Sequence, residues 1–194
     1  MSTWPFEGLR PLHYGLILVD PPWMQEFHSQ ETGTRKAPQA HYDCMPLDDI
    51  KAMPVGHLAA PDCFIVMWSI WNFVAPGYAT DVLRAWGFKP KSGGSWQKMT
   101  RNGKKAFTTG YGFRGSCEPF LTGSIGSPKI RSRSERNGII APAREHSRKP
   151  DEMHEALERM FPDVPRCELF ARQRRAGWDC WGKEVGKFPT GEAA

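Results

Sequence analysis

Long apolar runs are missing from this 194-residue chain. None approaches the ~20 residues that a membrane-spanning helix requires. Met1-Ser-Thr-Trp-Pro-Phe6 has no basic segment followed by an apolar core, so a secretory signal is not expected. Cysteine is sparse: Cys44, Cys63, Cys117, Cys167 and Cys180 are odd in number and contain no C-x-x-C pair. This pattern argues against a disulfide framework or a zinc ribbon and fits free thiols in a reducing cytoplasm. The six histidines are equally scattered, so no metal site is expected. No G-x-G-x-x-G follows an early strand candidate, which argues against a dinucleotide-binding dehydrogenase. Internal repeats are absent as well.

What is present reads as an ordinary globular chain, 40% hydrophobic and 24% charged. Its length suggests one domain over residues 1–194, with roughly 70% of the unfolded surface buried on folding. The formal net charge is +5 and the pI about 9.0, which favours a polyanionic partner. Distribution says more than the total. Lys98, Arg101, Lys104 and Lys105 cluster in one segment, and Lys129, Arg131, Arg133 and Arg136 in another. Both segments are rich in Gly, Ser and Asn, as exposed loops are. Loops 98–115 and 126–137 are therefore expected to face substrate, with Lys98, Arg101, Lys104, Lys105, Arg131 and Arg133 as phosphate contacts. Residues 24–41 form a long polar segment without apolar period, a candidate lid or recognition surface. Residues 187–194 read as a tail.

Leu16-Ile-Leu-Val19 reads as a short buried strand that Pro21-Pro22 ends, because proline has no N–H for a ladder. Pro46 to Met53 suggests a short helix ended by Pro54. Cys63-Phe-Ile-Val-Met-Trp68 is a second buried strand. A helix is expected over 75–86, with Tyr78, Val82 and Trp86 on its apolar face and Gly87 just beyond its end. Further strands are expected near 95–99, 118–122, 138–141, 166–170 and 178–181, with Pro119 marking an edge strand or a strand start. Pro150 suggests the first position of a helix stopped by Pro162, with Met153, Leu157 and Met160 buried. Strands alternating with helices indicate an α/β domain with a mainly parallel sheet.

The corner Asp20-Pro21-Pro22-Trp23 lies at the carboxyl edge, where open α/β sheets bind ligands. Pro-Pro alone is common, and Trp usually packs. Together, after an aliphatic strand and before a long polar loop, they suit a clamp for a planar amino group. Such an amine is a poor nucleophile because its lone pair is delocalised into the ring. Two acceptors drawing its N–H bonds out of plane would free that pair. Asp20 supplies one and the Pro21 carbonyl the other, with φ fixed by the prolines. Trp23 offers a flat face for a base.

Asp20-Pro21-Pro22-Trp23 resembles the signature of the MT-A70-like adenine-N6 methyltransferases. Ala40-His-Tyr42-Asp-Cys-Met45 is similar to that family's Tyr-x-x-Met segment, and Phe64–Trp68 to its second strand. Gly110-Tyr-Gly-Phe-Arg114 with Glu118 is similar to the segment before a later strand. His146 to Glu152, Glu168 to Arg172 and Gly177 to Glu184 resemble three further blocks in the family's order.

The resemblance implies a Rossmann-like methyltransferase fold with helices on both faces and a permuted, β-class-like motif order, catalytic motif first and much of the cofactor site last. It implies S-adenosylmethionine as methyl donor. Lys149, Arg172 and Arg175 would then lie around its methionine end or ribose, with Arg174 in the same run and Gly182, Lys183 and Glu184 near the ribose. A cation there suits the donor's carboxylate. The run Arg172 to Arg175 also reads as a solvated basic loop or a nucleic-acid contact. Relatives carry Asn at the position of Lys183, which shifts a ribose contact to Glu184 or to the backbone. Tyr42 and Glu118 fall near the target base by the same resemblance.

The resulting expectation is a cytoplasmic enzyme that methylates N6 of adenine in DNA, with Asp20, Pro21, Pro22 and Trp23 as catalytic residues. RNA as substrate, and a non-catalytic nucleic-acid-binding subunit, are the alternatives. The sequence leaves oligomeric state open, a homodimer included.

Overall fold

The computed structural model describes residues 4–24, 44–110, 112–145 and 148–188. Among the described residues, seven strands form one sheet in the order β5-β3-β4-β2-β1-β6-β7. They are β1 (Tyr14–Val19), β2 (Ala59–Trp68), β3 (Lys89–Met99), β4 (Cys117–Ile125), β5 (Gly138–Pro142), β6 (Arg166–Leu169) and β7 (Asp179–Trp181). The helices are α1 (Leu47–Ala52), α2 (Trp71–Val74), α3 (Tyr78–Ala85) and α4 (Asp151–Met160). The sheet is mostly parallel and mixed, and it carries the Rossmann-like α/β character expected from the sequence.

All six residues of β1 are buried, as a strand covered on both faces must be. Alternation sends Ile17 and Val19 to one face with Ile65, Met67 and Leu169, where Ile50, Val82 and Leu83 cover them from the helical side. Leu16 and Leu18 point the other way, into a cluster with Val66, Met153, Leu157 and Phe161. Each such side chain contributes roughly 1.5–3 kcal/mol on burial. The two clusters hold β1 rigidly between layers, so Asp20 emerges from a fixed strand end.

Helix α3 begins later than the periodicity suggests. Gly77, at φ +89°, breaks the chain from the short turn α2. Tyr78 is 46% exposed, so the buried face is carried by Ala79, Val82 and Leu83 instead. Its end follows the expectation. Gly87 adopts φ +84°, its N–H donates to the Arg84 carbonyl, and the Phe88 N–H donates to that of Leu83. These two bonds define a Schellman motif. At α4, Pro150 stands one place outside the helix as its N-cap rather than at the first helical position.

Strand β3 has 11 residues where the sequence suggests five. Gly93 and Gly94 hide its pattern and yet belong there: a Cβ on Gly94 would lie 2.0 Å from the Asn137 carbonyl. Of the two readings of Pro119, the edge strand fails, since β4 lies between β3 and β2, and the strand start fits, since Pro119 is the third residue of β4. Pro119 is tolerated because β2 stops pairing at Trp68↔Phe120. Just beyond that point, the Pro119 carbonyl accepts from the Ser69 N–H, so the missing N–H faces a place where no ladder continues.

Strand β4 runs antiparallel to both neighbours, and this decides where the basic loops go. The β3–β4 connection, 100–116, rises from the carboxyl edge beside Asp20. The β4–β5 connection, 126–137, lies at the opposite edge. There the Ser127 N–H donates to Asp62 and the Arg131 N–H donates to the Met160 carbonyl at the far end of α4. Loop 126–137, with Arg131 and Arg133, therefore does not face the Asp20 corner, contrary to the sequence expectation.

Candidate active site

Asp20 follows β1 directly, and its N–H points to the Leu169 carbonyl of β6 at 3.4 Å. Its carboxylate meets a lysine from the other wall: Lys149 Nζ donates to Asp20 Oδ2 at 2.8 Å. The same ammonium lies 2.6 Å from Glu118 Oε1. Glu118 Oε2 in turn lies 2.6 Å from Lys98 Nζ. Asp20, Lys149, Glu118 and Lys98 thus form one chain of alternating charge, formally neutral. Three strands and the approach to α4 supply its members. Aromatic faces line it, with Lys149 Nζ 5.6 Å from the Trp68 ring centre and Lys98 Nζ 4.8 Å from that of Trp96.

The two carboxylates of this chain are not equivalent. Burial raises both, but Glu118 lies between two lysines that outweigh it and bring it down to about 2. Asp20 has the burial, only one bonded lysine and the repulsion of Glu118, so it is raised above the ordinary carboxylate value. Burial disfavours the charged form of Lys149, yet its two carboxylates hold it firmly protonated. Asp20 is therefore the member with appreciable proton affinity.

The rest of the corner is more tightly bound than the sequence suggested. The Pro21 carbonyl accepts the Trp23 N–H at 2.8 Å, and the Pro22 carbonyl accepts that of Met45. A carbonyl has two lone pairs, so Pro21 keeps one acceptor site. Trp23 itself is only 5% exposed. Its indole N–H donates to the Trp68 carbonyl and its ring packs on Phe73 at 4.9 Å. This corrects the stacking platform expected for Trp23: the indole is core, bracing the Pro21-Pro22 turn from beneath.

Beside Asp20 opens a narrow cleft whose lining includes Lys149, His154, Glu168, Phe170 and Arg172. Phe170 adopts φ +59°, a costly value for a bulky residue, and this sharp turn after β6 carries Arg172 into the wall. Arg172 pairs with Glu184 at 2.8 Å, which joins two of the expected cofactor residues. His154 Nε2 lies 2.9 Å from Glu168 Oε2. Arg148, His154, Glu168, Phe170, Gln173 and Phe188 lie on the cleft without having been given roles from sequence. Arg148, Glu168 and Phe170 did fall inside the matched blocks, but nothing in the sequence distinguished them there.

Other expected residues stand elsewhere. Arg175 is held by Glu158, 2.7 Å and 2.9 Å in a two-pronged contact, two turns along α4, so it is a packing clamp and not part of the cleft wall. Arg174 and Lys183 are exposed. Gly182 is a point of close backbone approach, since a Cβ there would lie 2.9 Å from both the nitrogen and the oxygen of Ala171. Lys98 belongs to the charge chain rather than to a phosphate-facing surface. Arg101, Lys104 and Lys105 are exposed on the connection that rises from the site edge. Tyr42, most of segment 24–41 and most of the tail lie outside the described residues. Among the described residues, no group of His, Cys, Asp or Glu could hold a metal.

A parallel-rich α/β sheet with a buried acid at the end of its first strand, beside a cation-lined cleft, defines a domain of the Rossmann-like methyltransferase class. Within that class the chain belongs to the MT-A70 family, which matches residues 14–184. It is 31% identical over 180 residues to the N(6)-adenosine-methyltransferase MT-A70-like of Arabidopsis thaliana, covering 89% of this chain and 24% of that protein. It is 29% identical over 197 residues to the type II methyltransferase M.MunI of Mycoplasma, covering 93% and 81%. The N6-methyladenosine RNA methyltransferase MTA1 of Pyricularia oryzae is 27% identical over 187 residues, covering 91% and 48%. The chain thus spans about a quarter of the length of the plant relative.

Members of this family use S-adenosylmethionine, and the cleft fits its zwitterionic end. The buried Arg148 Nε and Gln173 Oε1, a donor and an acceptor, have no partner among the described residues. Such atoms cost about 1–3 kcal/mol each when unsatisfied, and a carboxylate and an ammonium would satisfy them. With Lys149 and Arg172 on the same wall, the donor set matches the group.

Proposed function

We propose that this protein transfers a methyl group from S-adenosylmethionine to N6 of adenine in DNA. The observation that carries the reading is the Asp20 carboxylate at the end of β1, held by Lys149 at 2.8 Å beside the cleft. Bound S-adenosylmethionine would supply the electrophilic methyl group, held by Arg148, Lys149, Arg172 and Gln173. Asp20 accepts an N–H of the incoming amine on Oδ1, since Oδ2 is taken by Lys149. The Pro21 carbonyl accepts the second N–H with its remaining lone pair, and together they free the nitrogen lone pair. The proton released as N6 becomes cationic passes to Asp20. Lys149 limits the charge that builds there, and catalysis rests on positioning and electrostatics.

DNA is favoured by the match to M.MunI over 81% of its length, against 48% for the RNA methyltransferase MTA1. Labelled S-adenosylmethionine with unmethylated DNA or RNA, followed by nucleoside analysis, tests the proposal. N6-methyldeoxyadenosine is expected. Label recovered only from RNA overturns the choice of polymer, and no transfer to either overturns the activity.

A further inference from the structure

Phe113 is 91% exposed, more than any other large apolar side chain among the described residues, and the site above gives it no role. It belongs to the β3–β4 connection, which stands at the carboxyl edge. The feet of this connection are Lys98 and Glu118, joined at 2.6 Å and linked through Lys149 to Asp20. The connection therefore springs from the acceptor network itself. Phe113 lies five positions before Glu118, a reach of at most about 18 Å.

The connection is a pinned hairpin. Bridges join Met99 to Lys105 and Thr108 to Gly115. The Thr108 N–H donates to the Gly115 carbonyl at 2.7 Å, and the Gly115 N–H returns to that of Thr108 at 3.2 Å. Gly110 permits the tight return, since a Cβ there would lie 2.3 Å from the Phe113 carbonyl. The Arg114 guanidinium sits 5.4 Å from the Phe107 ring centre, so that aromatic supports a cation while Phe113 stands clear. Residues 99–117 include no Asp or Glu, and Arg101, Lys104, Lys105 and Arg114 are all exposed. A bare ring on a connection that carries four exposed cations and no acid complements a polymer with phosphates outside and stacked bases within.

We infer that Phe113 is a wedge that enters the base stack of duplex DNA at the place the target adenine vacates, while the cations of the same connection hold phosphates. The inference rests on the methyltransferase reading above and deepens it by naming a duplex substrate. The Asp20 side chain is only 20% exposed, so a base paired within a helix cannot present N6 to it. The base must leave the stack, and a flat ring on a bridged hairpin fills the gap and restores stacking.

The test uses native and heat-denatured unmethylated plasmid DNA, labelled S-adenosylmethionine, and the wild type, Phe113→Ala and Phe113→Trp proteins. Phe113→Ala is expected to lower the native-to-denatured incorporation ratio about tenfold or more, and Phe113→Trp to restore it to within about threefold. An equal fall on both forms, no fall, or a Trp variant as low as Ala overturns the wedge while leaving the enzyme reading intact. So does wild-type activity confined to denatured DNA or RNA. A wild type that methylates no nucleic acid overturns the enzyme reading, and the wedge with it.

Discussion

Lys149 reaches Asp20 across 129 positions of sequence, Nζ to Oδ2 at 2.8 Å. The contact ties the approach to α4 to the end of β1, and so closes the cleft wall against the acceptor corner. It also fixes the orientation of the Asp20 carboxylate through Oδ2. Because Lys149 binds Glu118 as well, one side chain sets both the charge and the geometry of the site.

Replacing Lys149 by Met should therefore do two separable things. It leaves two buried carboxylates near each other without their shared cation, and removing one partner of a buried pair typically costs about 3–5 kcal/mol. It also removes the charge that restrains proton uptake by Asp20, so the acid limb of the pH–rate profile should move upward. Activity should fall at least about a hundredfold. Urea unfolding and a pH–rate profile check the two effects, and Lys149→Arg should rescue the profile more than the rate because it keeps charge but not shape.

A pH dependence of stability follows from Glu118. Its folded value of about 2 lies below its ordinary 4.5, because its two lysines outweigh burial. A lowered carboxylate contributes stability that is fully present above its unfolded value and is lost as pH falls through its folded one. The advantage of the wild type over Glu118→Gln in urea midpoint should therefore be full near pH 6 and shrink steadily from about pH 4.5 downward. A constant difference across that range would show that Glu118 is not held ionised by its lysines.

How much of this was legible in the sequence depends on range. The four aliphatics before Asp20 announced a buried strand because both faces of β1 are covered, and Pro21-Pro22 marked its end. Gly87 announced the end of α3 because only a left-handed residue closes that turn cheaply. The charge chain was not legible, since the pairing of Lys149 with Glu118 and of Glu118 with Lys98 depends on how strands lie side by side. Strand direction was hidden for the same reason: nothing in Cys117–Ile125 says that β4 runs against its neighbours, and that reversal sends Arg131 to the far edge. Trp23 misled for another reason, since an indole beside an acid serves equally as platform or as core.

The buried position of Trp23 makes its substitution a test of packing. Trp23→Ala removes a ring that is 5% exposed and should cost about 3–5 kcal/mol. Trp23→Phe keeps most of the contact with Phe73 and loses the bond to the Trp68 carbonyl, at a cost of about 1 kcal/mol beyond the change in volume. Urea titration measures both. If the indole instead served mainly to stack a base, Trp23→Ala would leave stability near wild type and raise KM.

The antiparallel course of β4 makes the two basic loops inequivalent, and salt titration can read the difference. Each phosphate contact contributes a slope of about −0.9 to the dependence of log K on log salt for duplex DNA. Lys104 and Lys105 lie on the connection that rises beside Asp20, so Lys104→Ala and Lys105→Ala should each weaken binding and flatten the slope by up to about 0.9. Arg131 is engaged with Asp163 at 3.2 Å on the opposite edge, and Arg133 shares its loop. Arg131→Ala and Arg133→Ala should leave the slope within error of the wild type. Fluorescence anisotropy with a labelled duplex over a range of salt concentrations measures all four, and a flattened slope in the Arg131 or Arg133 variant would place DNA across both edges of the sheet.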